Sequence, residues 1–466
     1  MVLEMDLDLM GTQPALYKLY TQLAFIFAMP DPALRPFITE TITHGLEHLS
    51  RNFPWVAGQV ENVNLNPIGP PVYKIRSFES IPRLTVKDYS NTTSVPTLEE
   101  FTAAKFPMSM LGEETWAPCP TLAPSALDPL NPSEEANEPA PVMLIQINFI
   151  RGGVLLCVNM QHNTCDMMGQ AAVIAWFSKA CRGHDFTKEE IEIGNKNRVN
   201  TVPLIVQEGW SPGPELKYQM LPPQPASGFP DPNLVAPSRC SWSYFDFSAT
   251  SLETLKDVAT KSVPHEFGNY VSTDDALSAF IFQSVLRARL PRLSSDSTVT
   301  FARAVDARRY LNVHHDYPGI LQNMTYTSYL LSTLLTVPLG HIAATMRGAI
   351  NPTTSDIAQR TRSLVTLLSQ SPENASRVNF TATLKLDADI MLSSWTKVAA
   401  YEWDFAFGLG PPVAVRRPCF IPVESLMYIM PKEPNRHLAV AMCLRDEDLD
   451  FLKQDTEWNK LATYLN

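Results

Sequence analysis

Met160–Gln170 reads MQHNTCDMMGQ and lies between two runs of different periodicity. Before it, Val154–Asn159 (VLLCVN) is a short unbroken apolar run, which predicts a buried strand. After it, Ala171, Ile174, Trp176, Phe177 and Ala180 give the apolar surface of a helix. His162 and Asp166 therefore fall in the turn where a strand hands the chain to a helix, a common place for functional groups on a rigid scaffold.

Outward from this turn, Met143–Ile150 and Val154–Asn159 flank Arg151-Gly152-Gly153 and predict a β-hairpin. Leu3–Leu9 alternates acidic and apolar residues as a strand does, and Leu19–Met29 predicts a second, more buried strand. Ile38, Ile42, Leu46 and Leu49 mark an amphipathic helix over Pro36–Asn52, followed by an extended Phe53–Val60. Trp116–Pro141, with seven prolines, reads as a loop or excursion. Ser211–Ser238 carries eight prolines and predicts a crossover between an N-terminal domain, 1–210, and a C-terminal domain, 239–466, with part of 360–395 packing back on the first. In the second half, strands are expected at Trp242–Phe247, Thr298–Val305, Ile390–Trp395, Leu426–Met430 and His437–Leu444. Helices are expected through Leu252 and Leu255, from a capping box at Ser272–Asp275 through Val285, and over Asp446–Gln454. This is an α/β pattern with two sheets around a shared interface.

Composition narrows the function classes. With 466 residues, 45% of them hydrophobic and 18% charged, the chain can bury a large core. A net charge of −11 argues against general nucleic-acid binding but leaves room for a polyanionic small ligand gathered by local positive charge. Leu23–Met29 is too short to span a bilayer, and Glu4, Asp6 and Asp8 stand where a signal peptide would be basic. A cytoplasmic chain is expected, its seven scattered cysteines reduced and its sequons at Asn91, Asn323, Asn374 and Asn379 without weight.

His162 has a side chain that accepts a proton near neutral pH, and a bland alternative as a turn histidine satisfied by a carbonyl. Asp166 reads as the N-cap of the following helix or as a salt-bridge partner that holds the loop. Cys165 offers a thiol chemistry with His162, against its reading as a small apolar side chain. His314-His315 is not a metal site by spacing, and Gly408-Leu409-Gly410 precedes Pro411-Pro412 rather than a dinucleotide-binding helix. No phosphate-binding loop motif is present either, so metals, nicotinamide and nucleoside triphosphates all lose support. Arg416-Arg417 reads as a solvated turn or a charge at a domain interface.

A second stretch, Ser393–Pro418 (SSWTKVAAYEWDFAFGLGPPVAVRRP), sharpens this picture. With His162-Asn163-Thr164-Cys165-Asp166 it resembles the BAHD acyltransferases, which carry H-x-x-x-D in mid-chain and D-F-G-W-G near the C-terminus. The blocks FPWVAGQV at Phe53, STDDALSAFI at Ser272, RAVDAR at Arg303, LQNMTY at Leu321, RRPCFIPVESLMYIMPK at Arg416 and LRDED at Leu444 bring the likeness close to the fungal trichothecene 3-O-acetyltransferases. The resemblance implies a two-domain chloramphenicol acetyltransferase-like fold with mixed sheets. A channel between the domains would admit acetyl-CoA as co-substrate at one mouth and a small-molecule alcohol at the other. It makes His162 the general base, Asp166 a structural carboxylate and Arg308 its salt-bridge partner. It offers Ser272, Thr273, Ser393, Ser394 and Lys256 as coenzyme A contacts, and it implies a cytoplasmic monomer using no metal. The implied reaction is direct O-acetylation in a ternary complex, with a trichothecene-type sesquiterpenoid as acceptor. Another terpenoid, polyketide or alkaloid hydroxyl or amine is the alternative acceptor, and a thiol enzyme or a non-catalytic metabolite-binding homologue the alternative protein.

The second motif departs from the family at two positions. Ala406 and Phe407 stand where the pattern has glycine and tryptophan. Phenylalanine has no indole N–H to donate, and alanine restricts the backbone if the family glycine has positive φ.

Overall fold

The apolar hairpin at Arg151-Gly152-Gly153 is the centre of the first sheet in the computed structural model, which describes residues 3–64, 66, 69–122, 138–222, 239–268 and 270–465. Strands Met143–Ile150 and Gly153–Gln161 pair antiparallel, and every residue of both is buried. Tyr20–Ala28 adds antiparallel to the second, and Arg83–Asp88 lies parallel beside the first. Helices Arg35–Asn52 and Met167–Cys181 join this sheet in one core, through Ile42 and Leu46 on the first helix and Val173 and Phe177 on the second.

The fifth strand of that sheet is Ala414–Arg416, paired antiparallel with Tyr20–Ala28. The chain beyond 239 thus returns to the first half, so a boundary at the proline-rich stretch does not divide the strands cleanly. Helix Ile357–Gln370 shares a further core with Met10, Val202 and Leu216.

The second sheet has seven strands: Gln322–Leu330, Thr298–Asp306, Ile390–Ser394, Leu426–Ile429, Leu438–Arg445, Cys240–Phe247 and Ala462–Leu465, in that spatial order. Ile390–Ser394 runs parallel to both neighbours and the other pairs are antiparallel, so the sheet is mixed. Helices Ala249–Lys261, Thr273–Ala288 and Leu339–Gly348 pack into its core. The capping box is formed: Ser272 Oγ accepts from the Asp275 N–H, and the Asp275 carboxylate accepts from the Ser272 N–H.

Two expectations change. Only Glu4–Asp6 of Leu3–Leu9 is a strand, in a small sheet with Gln59–Asn62 and Tyr73–Arg76, and Leu9–Thr12 is a 3₁₀ turn. Phe53–Val60 begins with a 3₁₀ turn, Pro54–Ala57, rather than extended chain. Proline at the first position is preorganised for that turn, and Trp55 inside it is buried with its indole N–H on the Gly194 carbonyl at 2.9 Å. The proline-rich stretches lie partly outside the described residues; within them, Pro214–Leu216 forms a 3₁₀ turn with Leu216 fully buried.

Candidate active site

The strand Gly153–Gln161 ends where the His162 N–H donates to the Leu19 carbonyl at 2.7 Å. Thr164 then folds back, its hydroxyl donating to the Gln161 carbonyl at 2.7 Å. Asp166 caps the helix Met167–Cys181 by accepting from the Gly169 N–H at 2.8 Å. This tight turn brings His162 Nδ1 within 3.1 Å of the Cys165 carbonyl. A carbonyl can only accept, so Nδ1 carries the proton and Nε2 keeps a lone pair. Burial pushes the His162 pKa below the ordinary histidine value, and the Arg417 charge acts in the same direction. The ring is therefore neutral at physiological pH, as a general base must be.

Asp166 faces away from that lone pair. Its carboxylate takes both guanidinium nitrogens of Arg308, at 2.9 and 3.0 Å, and the Leu321 N–H at 2.7 Å. Arg308 also donates to the carbonyls of Tyr317 and Gly319, at 3.0 and 2.7 Å, and to Asp306 at 2.8 Å. Burial opposes the Arg308 charge, and the two carboxylates overcome it, holding its pKa above the usual arginine range. Gly169 makes room for the incoming segment: a Cβ there would lie 2.1 Å from the Pro318 carbonyl oxygen. The pair expected from sequence is brought together, and it pins the His162 turn to the Tyr317–Leu321 segment.

Sequence reasoning missed a second pin. Buried Arg198 donates to the Thr164 carbonyl, stacks on Trp55 at 4.4 Å and faces Asp8 at 3.5 Å. Asp8 in turn accepts from the Tyr317 hydroxyl and from the Ile320 N–H. Asp8 lies in the strand-like N-terminal alternation and Arg198 in a polar stretch, so neither belonged to a motif.

The thiol reading fails on geometry. Cys165 is 1% exposed, its sulfur lying 4.0 Å from the Met160 sulfur and 3.9 Å from the Gln161 carbonyl. Burial pushes its pKa up to about 12, so at neutral pH it is a protonated thiol in the core.

Two cavities meet at the turn. One, about 290 Å³, is lined by His162 with mainly apolar side chains such as Leu16, Leu19, Met324 and Phe380. The other, about 400 Å³, is lined by Arg303, Arg309, Arg347 and Lys397 among more polar neighbours. Met167, Ala304, Gln322, Ser393 and Trp395 line both, so they are two lobes of one passage.

Of the residues offered as coenzyme contacts, Ser272, Ser393 and Ser394 line the polar lobe. Ser394 donates to Asp274, and Ser393 accepts from the Trp395 indole at 3.0 Å, leaving its own proton free to donate. Thr273 is not on the wall, and Lys256 sits behind it, 5.8 Å over the ring of Tyr270. The four wall cations are single residues on different elements, and nothing in the local sequence marked them as a group. Arg303 is already paired with Asp274 and Asp275, whereas Arg309 and Lys397 are exposed.

The second motif lines neither lobe. Phe405 and Phe407 are 1% and 3% exposed, and they pack on Phe25, Phe27 and Phe177 under the first sheet. Ser178 donates to the Asp404 carbonyl at 2.8 Å. An N–H at position 407 would therefore point into a packed core rather than at a thioester. Ala406 has φ 59°, the left-handed region that glycine adopts freely. Arg416 and Arg417 are 5% and 3% exposed, which excludes the solvated turn of the two readings given for them and leaves the charge at a domain interface. The donor atoms of His314, His315 and Asp316 lie within 4.8 Å of one another, close enough to share an ion despite their spacing, in a group outside both lobes. Among the described residues no helix is long and apolar enough to cross a membrane.

Comparison with known proteins agrees with this architecture. Residues 19–181 match the profile described as a trichothecene 3-O-acetyltransferase-like N-terminal domain, and residues 101–459 match the Transferase family. The chain is 44% identical to a trichothecene 3-O-acetyltransferase of Fusarium sporotrichioides over 99% of its length and 97% of the relative's. It is 39% identical to one of Saccharomyces cerevisiae over 100% and 96%, and 41% identical to an O-acetyltransferase of a Cryptosporiopsis species over 99% and 98%. The crystal structure of the F. sporotrichioides enzyme complexed with coenzyme A and T-2 superposes with TM-score 0.90 at 42% identity, covering all of both chains. That of the Fusarium graminearum enzyme with coenzyme A and deoxynivalenol gives 0.91 at 41%, also over both whole chains.

Proposed function

Because the chain belongs to the Transferase family, the BAHD acyltransferases, we propose that it is an acetyl-CoA-dependent O-acetyltransferase of trichothecene-type sesquiterpenoid alcohols, acting in the cytoplasm. One observation carries this reading. His162, with a neutral Nε2, lines an apolar lobe that shares Met167, Ala304, Gln322, Ser393 and Trp395 with a lobe walled by cations. The apolar lobe suits a lipophilic alcohol and the cationic lobe suits the phosphates of coenzyme A. The names of the relatives and of their complexes point to the same pair of substrates.

In this mechanism Nε2 takes the proton of the acceptor hydroxyl as its oxygen attacks the thioester carbonyl. The carbonyl oxygen becomes an oxyanion, which needs donors fixed before the reaction. Ser393, with its uncommitted hydroxyl proton, and Gln322 both line the junction of the lobes and fill that role. Collapse of the tetrahedral intermediate breaks the C–S bond, and the imidazolium returns its proton to the leaving thiolate. The transfer is direct, and Cys165, buried and protonated, supplies no thiolate for a covalent acyl-thiol intermediate. Ser272 and Ser394, with Arg347 and Lys397 beyond them, hold the coenzyme, and Lys256 acts only through Tyr270.

The test is release of coenzyme A thiol from acetyl-CoA with a panel of trichothecene and other terpenoid alcohols. Acceptor-dependent release that is lost in a folded His162→Ala variant and kept in Cys165→Ala is the expected result. Release that survives in His162→Ala would overturn the mechanism, and acceptor binding without any release would favour a binding protein.

A further inference from the structure

Arg417 is 3% exposed and lines the apolar lobe together with His162. Its neighbour Arg416 meets Glu433 at 3.0 Å, but the Arg417 side chain makes no hydrogen bond and no ion pair with any described residue. Glu113, the carboxylate that feels its charge, is engaged instead by Gln22 and by the Thr121 N–H, at 2.9 and 2.6 Å. The guanidinium is held by rings: Phe420 at 4.3 Å, Tyr428 at 4.6 Å and Trp395 at 5.7 Å. Its backbone is clamped on both sides by the Tyr244 hydroxyl, which accepts from the Arg417 N–H and donates to its carbonyl.

Aromatic faces hold a guanidinium in place but accept none of its five N–H donors in the plane. An arginine cannot escape by losing its proton. A buried charge left in that state calls for an acceptor that the protein does not provide, and the open side of this one is the cavity. Arg417 is absent from the cationic lobe, so that acceptor belongs to the molecule in the apolar lobe.

We propose that Arg417 is a specificity-determining residue that donates to a second oxygen of the acceptor molecule, a carbonyl, ester or ether oxygen other than the hydroxyl being acylated. The proposal rests on the acyl-transfer reading and narrows it. The acceptor is a polyoxygenated alcohol, held between a base at one oxygen and a guanidinium fork at another. A terpenoid mono-alcohol fills the same apolar volume but leaves the fork unpaired, and a site built to pair a group rejects the analogue lacking it.

The test uses equilibrium binding, which does not depend on turnover, and then kinetics. The probes are trichothecene alcohols sharing the reacting hydroxyl, in which each other carbonyl, ester or ether oxygen is kept or replaced in turn by CH₂. Wild type is expected to bind one deoxygenated member about tenfold to a hundredfold more weakly than its parent. Arg417→Met is expected to bind the parent equally weakly and that member as wild type does, with KM for acetyl-CoA unchanged. Arg417→Lys, which keeps the charge without the fork, is expected to recover only part. If wild type binds every member alike, the proposal is wrong whatever the variants do. If Arg417→Met lowers kcat on all acceptors without altering their binding, Arg417 acts on the reacting atoms and the proposal is again wrong. Absence of acetyl transfer with every member would sink the acyl-transfer reading, while the binding series would still decide on Arg417.

Discussion

The two lobes that join beside the His162 turn handle charge in opposite ways. In the polar lobe, Arg303 is bound to Asp274 and Asp275 while Arg309 and Lys397 stand exposed at the wall. In the apolar lobe a single buried cation, Arg417, has rings around it and no anion among the described residues. Exposed cations gather a highly charged ligand loosely and with salt dependence, because water already solvates them. A buried cation without an anion favours a partner that reaches it, because burial leaves it poorly solvated. The first arrangement suits a common co-substrate and the second suits discrimination among acceptors.

Substitutions test this contrast, beginning with His162. His162→Gln is expected to lower kcat/KM by about 10²- to 10⁴-fold, the usual worth of a general base. Far-UV circular dichroism and both KM values should stay nearly unchanged, and a large loss of secondary structure would instead make His162 structural. Next in size, Arg308→Met leaves Asp166 buried without its partner and should cost about 3–5 kcal/mol, read as a lower midpoint in denaturant. An unchanged midpoint would mean that the turn is held by Arg198 and Asp8 instead. In the polar lobe, Arg347→Glu should raise KM for acetyl-CoA roughly tenfold at low salt, converging on wild type at high salt, with the acceptor KM unmoved. A change in the acceptor KM would show that the lobes are not separate in function.

The smaller effects concern pH and backbone. Burial lowers the His162 pKa from 6.5, so kcat/KM should stay flat as the pH falls through that value and decline only below it. The unfolded chain takes up that proton first, so the stability His162 contributes is present above about pH 6.5 and is lost as the pH falls towards its folded pKa. Arg417→Met removes a repelling cation and should move the acid limb upward. Ala406→Gly relieves a left-handed alanine and should raise stability by roughly 0.5–1 kcal/mol with activity unchanged.

What the sequence made legible follows the range of the interactions involved. The strand, turn and helix around His162 come from local periodicity and a cap, so both the elements and the place of Asp166 could be read directly. Arg308 was reached through its resemblance block, 142 residues away. The passage walls could not be read in this way. Arg347 and Lys397 approach Ser272 only because distant strands of one mixed sheet bring their elements together. Phe53–Val60 was misread because Pro54 and the buried Trp55 favour a turn that apolar composition does not reveal. The departures at Ala406 and Phe407 were visible as letters, but the burial of Phe407 in a packed core and the absence of both residues from the lobes were not. Arg417 could be read equally as a solvated turn or as a charge at a domain interface, because its burial against Trp395, Phe420 and Tyr428 is set by tertiary packing.

The proposed place of acyl transfer is where the two lobes join, with His162 Nε2 as the base. A crystal structure of the protein with coenzyme A and a bound acceptor alcohol tests it most directly. The sulfur is expected beside Ser393 and Trp395 and the reacting hydroxyl about 2.6–3.2 Å from Nε2. A reacting hydroxyl well outside that reach in a catalytically competent complex, or the coenzyme in the apolar lobe, would contradict it.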